Sequence, residues 1–144
     1  MANFIVMPAT GHLNISPTLF HGYAIQYLQC ERRFTTDANY SPVPYFLLCR
    51  AIEIELKAKH LESKSRAEVK KQYGHNLKKS YDELLSTDKT LDSIEYTVLL
   101  HASKIYDVPN KGFEYVTVGD AVTGLKGFPD ITVLKNIAAK LVDQ

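Results

Sequence analysis

The helix predicted over residues 45–63 constrains the fold most, because four of its ionisable residues form a second polar stripe, away from its main polar face. At about 100° per residue these side chains fall within about 80° of one another, between two apolar flanks. The ordinary polar face is expected on the far side of the helix, at Glu55, Lys59 and Glu62. Charges enclosed by hydrocarbon are costly unless they pair, so the pattern predicts a charge cluster in a groove. The polar stripe consists of Arg50, Glu53, Lys57 and His60.

Two interpretations of this stripe stay open at the level of the sequence. Glu53 and Lys57 stand four residues apart with the acid first, which favours an intrahelical ion pair. Between apolar flanks, such a pair either positions a charge for a ligand or joins neighbouring helices in a self-satisfied network with Arg50 and Glu95. Glu95 falls on the inward face of a later helix, so we expect it to be largely buried and to need a cationic partner.

Helical periodicity elsewhere predicts an all-α, up-and-down bundle of about five main helices with one long irregular loop, in a single domain spanning 1–144. Further helices are expected over residues 16–34, 65–73, 77–85, 88–106 and 130–142. Residues 1–15 are interpreted as a loose N-terminal arm. The long loop covers residues 107–129, with a brief strand predicted at 113–118. A connection of that length is usually functional or packed over something.

The apolar faces of these helices can be assigned from the same periodicity. The helix after residue 76 is expected to bury Leu77, Tyr81, Leu84 and Leu85, and the next to bury Leu91, Ile94, Val98, Ala102 and Ile105. The inward face predicted for the first helix consists of Leu19, Tyr23, Tyr27, Cys30 and Phe34.

Composition excludes several classes of protein. The net charge of +1 gives no reason to expect a general nucleic-acid or membrane-surface binder. The chain has no apolar run long enough for a signal core or a membrane span, so a cytoplasmic protein is expected. Cys30 and Cys49 are predicted to be buried free thiols. Scattered histidines and the absence of phosphate-loop and zinc-type motifs predict neither a metal site nor a cofactor.

Outside the stripe, His75 and the long loop carry the remaining candidate site residues. His75 precedes Asn76, a predicted helix cap, so it either covers the helix start or contacts an anion there. Lys111 and Tyr115 stand four apart in the loop. Three short motifs therefore follow one another across residues 45–115, about half of the chain. They are Glu53-x-x-x-Lys57-Ala58, then Gly74-His75-Asn76-Leu77, and finally Tyr106 followed by Lys111-x-x-x-Tyr115.

The order of these motifs resembles that of HEPN-like helical proteins. The resemblance implies a bundle of about five helices, commonly a homodimer, in a group that includes RNA-cleaving toxins, defence nucleases and non-catalytic partners of nucleotidyltransferases. Its ribonuclease members share an arginine and a later histidine with four to six residues between them. In this sequence no arginine lies at that spacing. Lys70 precedes His75 with the right spacing, but lysine lacks the planar two-point phosphate contact of arginine.

We therefore expect a non-catalytic HEPN-like bundle that binds a nucleotide, RNA or a protein partner, in a defence or toxin–antitoxin context. The first alternative is a divergent metal-independent ribonuclease that uses His75 as acid and base, with Lys57 or Lys111 steadying the phosphate. The second is a structural adaptor with a self-paired charge network. The expected ligand-binding residues are Glu53, Lys57, His75, Lys111 and Tyr115, supported by Arg50 and Glu95.

Overall fold

The computed structural model describes residues 5–7, 12–107 and 110–143, and this part of the chain is an all-α bundle preceded by a short hairpin. The hairpin pairs β1 (Ile5–Met7) with β2 (His12–Asn14) in antiparallel register. The long helices are α1 (Ser16–Arg33), α2 (Val43–His60), α5 (Ser93–Tyr106) and α7 (Ile131–Val142). Shorter helices are α3 (Arg66–Tyr73), α4 (Leu77–Asp82) and α6 (Val118–Val122), and Ser86–Asp88 form a 3₁₀ turn.

Local sequence signals fix where several helices begin. Ser65 and Asp92 open α3 and α5, and each forms a reciprocal capping box with a glutamate three residues later. Asn76 accepts from the Lys79 amide at the start of α4, and Asp130 accepts from two amides at the start of α7. These side chains satisfy amides that the first helical turn leaves without partners, so the helix starts follow from the sequence.

Helix α2 lies at the centre of the bundle and packs against α1, α4, α5 and α7. Ten of its eighteen residues are buried, including two glutamates and a histidine. The main core joins residues from every long helix with two phenylalanines of the loop region, Phe113 and Phe128. Fully buried large side chains in this core include Leu28, Leu48, Ile52, Leu56, Leu77, Leu99, Leu134, Ile137, Leu141 and Val142.

The all-α class is thus confirmed, but the inward face predicted for α1 was wrong. Leu19, Tyr23 and Cys30 are exposed, whereas Ala24, Leu28 and Glu31 are buried. The buried row contains an alanine and a glutamate, so it carries a weaker apolar signal than the tyrosine row beside it. The tyrosine rings made the outer row look like a core face. Tyrosine nevertheless tolerates exposure, because its hydroxyl is polar.

Other local predictions were also wrong. Residues 113–118 do not form the predicted strand: 113 and 114 lie in a turn, and Val118 begins α6, a helix within the segment predicted as an irregular loop. Helix α5 begins only after the Asp92 cap. Ile94 and Leu85 are exposed rather than buried. The predicted irregular arm contains the short hairpin, while residues 1–4 and 8–11 lie outside the described residues.

Candidate functional site

Glu53 is the centre of a charge cluster in the middle of the bundle. It is only 2% exposed, yet its carboxylate accepts hydrogen bonds from four different side chains. Oε2 accepts from Lys57 Nζ at 2.6 Å and from Arg50 Nη1 at 3.2 Å. Oε1 accepts from Tyr106 Oη at 2.5 Å and from His75 Nδ1 at 2.9 Å. A carboxylate has about four lone-pair positions, so Glu53 is fully satisfied.

Two helices and one tight link bring these donors together. Arg50 and Lys57 lie one turn before and after Glu53 on α2, on the predicted polar stripe. Tyr106 is the last residue of α5. His75 lies in the link between α3 and α4, directly after Gly74, which ends α3 with a φ of +51°. Glycine suits this left-handed turn because it has no Cβ.

The network keeps Glu53 ionised. Burial alone would raise its pKa, but Lys57, and then the hydrogen bonds from Tyr106 and His75, bring the pKa below its usual range. Burial and the neighbouring Glu53 charge raise the pKa of Tyr106, which therefore keeps its proton and donates. Burial opposes the charge on Arg50, but its contacts with Tyr27 and Glu53 raise its pKa overall. The cluster thus contains the Glu53 carboxylate between the basic side chains of Arg50 and Lys57.

A cavity of about 410 Å³ opens beside this cluster. Arg50, Glu53, Lys57 and His75 line it, together with Arg66 and Lys70 of α3. Among the residues described, neither Arg66 nor Lys70 forms an ion pair with a carboxylate. Four cationic side chains therefore share the cavity with one carboxylate, which already has four donors.

A second cavity of about 290 Å³ shares Arg50 and His75 with the first. Its other lining residues include the aromatic side chains Tyr27, Phe46 and Tyr106. Lys111 and Glu114 supply its remaining charges. The guanidinium of Arg50 lies 5.6 Å from the centre of the Tyr27 ring, so a cation–π contact holds it between the two cavities.

Lys111 enters this second cavity from an unusual backbone conformation. Its φ is +43°, in the left-handed region that side chains with a Cβ rarely adopt. The amide of the next residue, Gly112, donates to the Ile105 carbonyl at 2.6 Å, and a Cβ at that position would lie 2.5 Å from the Ile105 side chain. The close approach of Gly112 to α5 thus fixes the turn that carries Lys111.

The structure brings together most of the residues chosen from the sequence. Glu53, Lys57, Arg50 and His75 meet at the first cavity, and Lys111 reaches the second. Tyr115 is 70% exposed and lines neither cavity.

The remaining members of the predicted cluster lie elsewhere. Glu95 is buried as predicted, but its cationic partner is Lys140 at 2.7 Å, so it does not join a network with Glu53. His60 donates from Nε2 to the Ser80 carbonyl and stacks on Tyr73. The stripe therefore splits, with only its first three residues at the cavity.

Two further predictions about buried groups were wrong. Glu55, expected on the wet face of α2, is 3% exposed and contacts His21 of α1. Cys30, expected to be buried, is exposed, whereas Cys49 is buried, and both are free thiols.

Several cavity residues were not chosen from the sequence. These are Arg66 and Lys70 on α3, Tyr27, which was assigned to the inward face of α1, and Phe46 on α2. A signal for Lys70 existed, since it stands one helical turn and a short link before His75. Tyr27 and Phe46 carried no comparable signal, because aromatic residues at helical spacing usually form a core.

Within the described ranges, no group of three or more His, Cys, Asp or Glu side chains could hold a metal ion. Nor is any helix of that part of the chain both long and apolar enough to cross a bilayer. The chain matches no protein-family model, and neither a curated protein nor a solved structure is similar to it at a significant level. The candidate site must therefore be interpreted from its own geometry.

Proposed function

We propose that this protein is a non-catalytic HEPN-like bundle whose basic cavity binds the phosphate of a nucleotide or of an RNA end. The observation that carries the proposal is the excess of positive charge at the first cavity, where Arg50, Lys57, Arg66 and Lys70 face a single carboxylate. Arginine and lysine are the side chains that most often recognise phosphate in proteins.

The same observation argues against a purely structural network. A self-paired cluster needs roughly equal numbers of opposite charges, and Glu53 has no free acceptor position for Arg66 or Lys70. Glu53 instead holds Arg50 and Lys57 in fixed positions, which lowers the entropy lost when an anion binds. The HEPN-like resemblance supports a nucleotide or RNA as the source of that anion.

Lys70 and Lys71 provide a matched test of this proposal. Both are exposed lysines on α3, but only Lys70 lines the cavity. With inorganic pyrophosphate and a 5′-phosphorylated single-stranded RNA as probes, we expect Lys70→Gln to weaken binding about tenfold. Lys71→Gln should change it little. Isothermal titration calorimetry at two salt concentrations measures both effects, and affinity should fall as salt rises.

If neither probe binds the native protein, the proposal is wrong and the protein-partner or adaptor hypothesis takes its place. Equal losses in the two lysine variants would indicate a diffuse surface attraction rather than a site. The homodimer implied by the resemblance stays a prediction, which sedimentation equilibrium would test.

One observation favours the second candidate, a metal-independent ribonuclease. His75 contacts Glu53 through Nδ1, and its side chain is 47% exposed, so the imidazole is accessible from solvent. A carboxylate that orients a histidine, with cations beside it, is an arrangement used for general acid–base catalysis. Incubation of a mixed RNA with native protein and with His75→Ala tests it. Under the leading proposal the RNA stays intact with both proteins; cleavage that His75→Ala abolishes would establish the ribonuclease.

A further inference from the structure

We propose that the two cavities together form one mononucleotide site, which holds a phosphate in the first, basic cavity and a guanine base in the second, aromatic cavity. This inference rests on the proposed function and adds to it the identity of the group beyond the phosphate. Arg50 and His75 line both cavities, so a ligand that fills both must pass them. They would contact the sugar and the bridging phosphate oxygens.

Each cavity offers side chains suited to one end of a nucleotide, although Phe20, Ile54, Leu61 and Val69 also line the first. The first contains the cations Lys57, Arg66 and Lys70. The second is lined by the rings of Tyr27, Phe46 and Tyr106, which offer apolar surface to a flat heterocycle. Small-molecule sites commonly occupy about 300–1,000 Å³. The volumes of about 290 and 410 Å³ each suit part of a nucleotide.

Arg50 lies between the phosphate half and the base half of the proposed site. Its Nη1 donates to Glu53 at 3.2 Å while its guanidinium lies over the Tyr27 ring. Two contacts on one planar group restrict its rotation, so little entropy is lost when its other N–H groups bind a ligand. His75 is held in the same way, through the Nδ1 contact with Glu53.

Glu114 selects the base. It is exposed at the second cavity and forms no ion pair among residues 12–107 and 110–143. An ionised carboxylate only accepts hydrogen bonds, and with two oxygens it suits a pair of adjacent N–H donors. Guanine presents such a pair, N1–H and the 2-amino group, on one edge. Adenine and cytosine place an acceptor nitrogen beside their amino group, which the carboxylate would repel.

The shared chemistry is a 5′-phosphorylated guanosine, which exists both as free nucleotide and as the first residue of an RNA. The experiment therefore titrates guanosine monophosphate, adenosine monophosphate, guanosine, inorganic pyrophosphate and a 5′-phosphorylated trinucleotide that begins with guanosine. Isothermal titration calorimetry on the native protein gives the five dissociation constants. A trinucleotide that binds at least as tightly as guanosine monophosphate identifies an RNA end, and one that binds much more weakly identifies the free nucleotide; either result supports the site.

We expect guanosine monophosphate to bind about tenfold more tightly than adenosine monophosphate, and more tightly than guanosine or pyrophosphate. Glu114→Gln should remove the preference for guanine over adenine and leave pyrophosphate binding unchanged. Glu62→Gln, which removes an exposed carboxylate outside both cavities, is the matched control. Because Glu114 is exposed, its substitution should leave the fold intact, and circular dichroism on each variant checks this.

The outcomes separate this inference from the proposed function. If pyrophosphate binds, and Lys70→Gln weakens it, but guanosine monophosphate binds no better, the phosphate site stands and the two-part site is overturned. If guanosine and adenosine monophosphate bind equally, the assignment of guanine is overturned. If no probe binds, both proposals fail together.

Discussion

Glu53 and Glu55 lie two residues apart on α2, both almost inaccessible to solvent and both in contact with a histidine ring nitrogen. Despite this likeness, the pKa of Glu53 is lowered and the pKa of Glu55 is raised. For both groups burial is the largest influence and raises the pKa. Glu53 has Lys57, Arg50 and Tyr106 in addition to its histidine, whereas Glu55 contacts only His21 among the side chains described.

The comparison indicates that these two carboxylates of similar burial differ in pKa because Glu53 has the Lys57 charge and more hydrogen-bond donors beside it. Four donors make the Glu53 side of α2 a fixed anion that holds cations at a cavity. Glu55 has only the His21 contact and the more distant charge of Lys59 to lower its pKa. These are too weak to offset burial, so its charged form stays destabilised. The two sides of one helix therefore differ in their electrostatics: the Glu53 side lines the first cavity, and the Glu55 side contacts α1 through His21.

Neutralising each glutamate in turn gives the largest expected effect. Glu53→Gln leaves Arg50 and Lys57 beside one another without their counterion, so we expect a loss of about 3 kcal/mol or more in the free energy of unfolding. Glu55→Gln removes a charge that burial opposes, and the amide oxygen still accepts from His21, so the loss should stay below about 1 kcal/mol. Urea unfolding near neutral pH measures both. Equal losses would show that the difference in donors has no energetic consequence.

Removing one cation from each side gives a smaller difference. After Lys57→Ala, Glu53 keeps its other three donors, so we expect a loss of about 1–2 kcal/mol in stability and weaker pyrophosphate binding. Lys59→Ala, on the Glu55 side, should cost less than about 0.5 kcal/mol and leave binding unchanged. Thermal unfolding and calorimetry are the measurements. A loss of several kcal/mol after Lys57→Ala with unchanged binding would favour the structural adaptor instead.

The pH dependence of stability should have opposite signs for the two glutamates. The pKa of Glu53 is lowered on folding from a reference of 4.5, so its contribution is present above that value and lost as the pH falls through the folded pKa. The pKa of Glu55 is raised, so its contribution is full below 4.5 and lost as the pH rises through the folded pKa.

Unfolding free energies measured at intervals from about pH 3.5 to about pH 7 test these signs. Relative to the native protein, Glu55→Gln should gain stability as the pH rises. The advantage of the native protein over Glu53→Gln should shrink as the pH falls below 4.5. Parallel curves for the two variants would contradict the assignment.

The sequence predicted the Glu53 side of this comparison and missed the Glu55 side. Arg50, Glu53 and Lys57 repeat at helical spacing between apolar flanks, so their enclosure could be inferred from one helix alone. Glu55 falls between Lys59 and Glu62 on the same wheel, which is the pattern of a solvated face. Glu55 contacts His21 where α1 packs on α2, and in this packing Ala24 and Leu28 of α1 face inward.

The same reasoning explains why the cavity was only partly predicted. Charge pairs within α2, and the burial of Glu95, follow from local spacing and were confirmed. The choice of Lys140 as the partner of Glu95, and the approach of Arg66 and Lys70 to α2, depend on how separate helices pack. Periodicity within one helix gives the face that is buried, but it does not give the neighbour that covers it.

The smallest expected effect concerns Lys111, which lines the second cavity on the Glu53 side of α2. A residue with a Cβ in the left-handed region costs about 1 kcal/mol relative to glycine, so Lys111→Gly should stabilise the fold by about 0.5–1 kcal/mol. Lys111→Ala is the matched control, because it removes the same charge and keeps the strained backbone. Both variants should bind guanosine monophosphate more weakly, while only the glycine variant unfolds at a higher temperature. If the lysine served the fold rather than the ligand, Lys111→Gly would lower stability and leave binding unchanged, and its strained conformation would have no connection with the cavity.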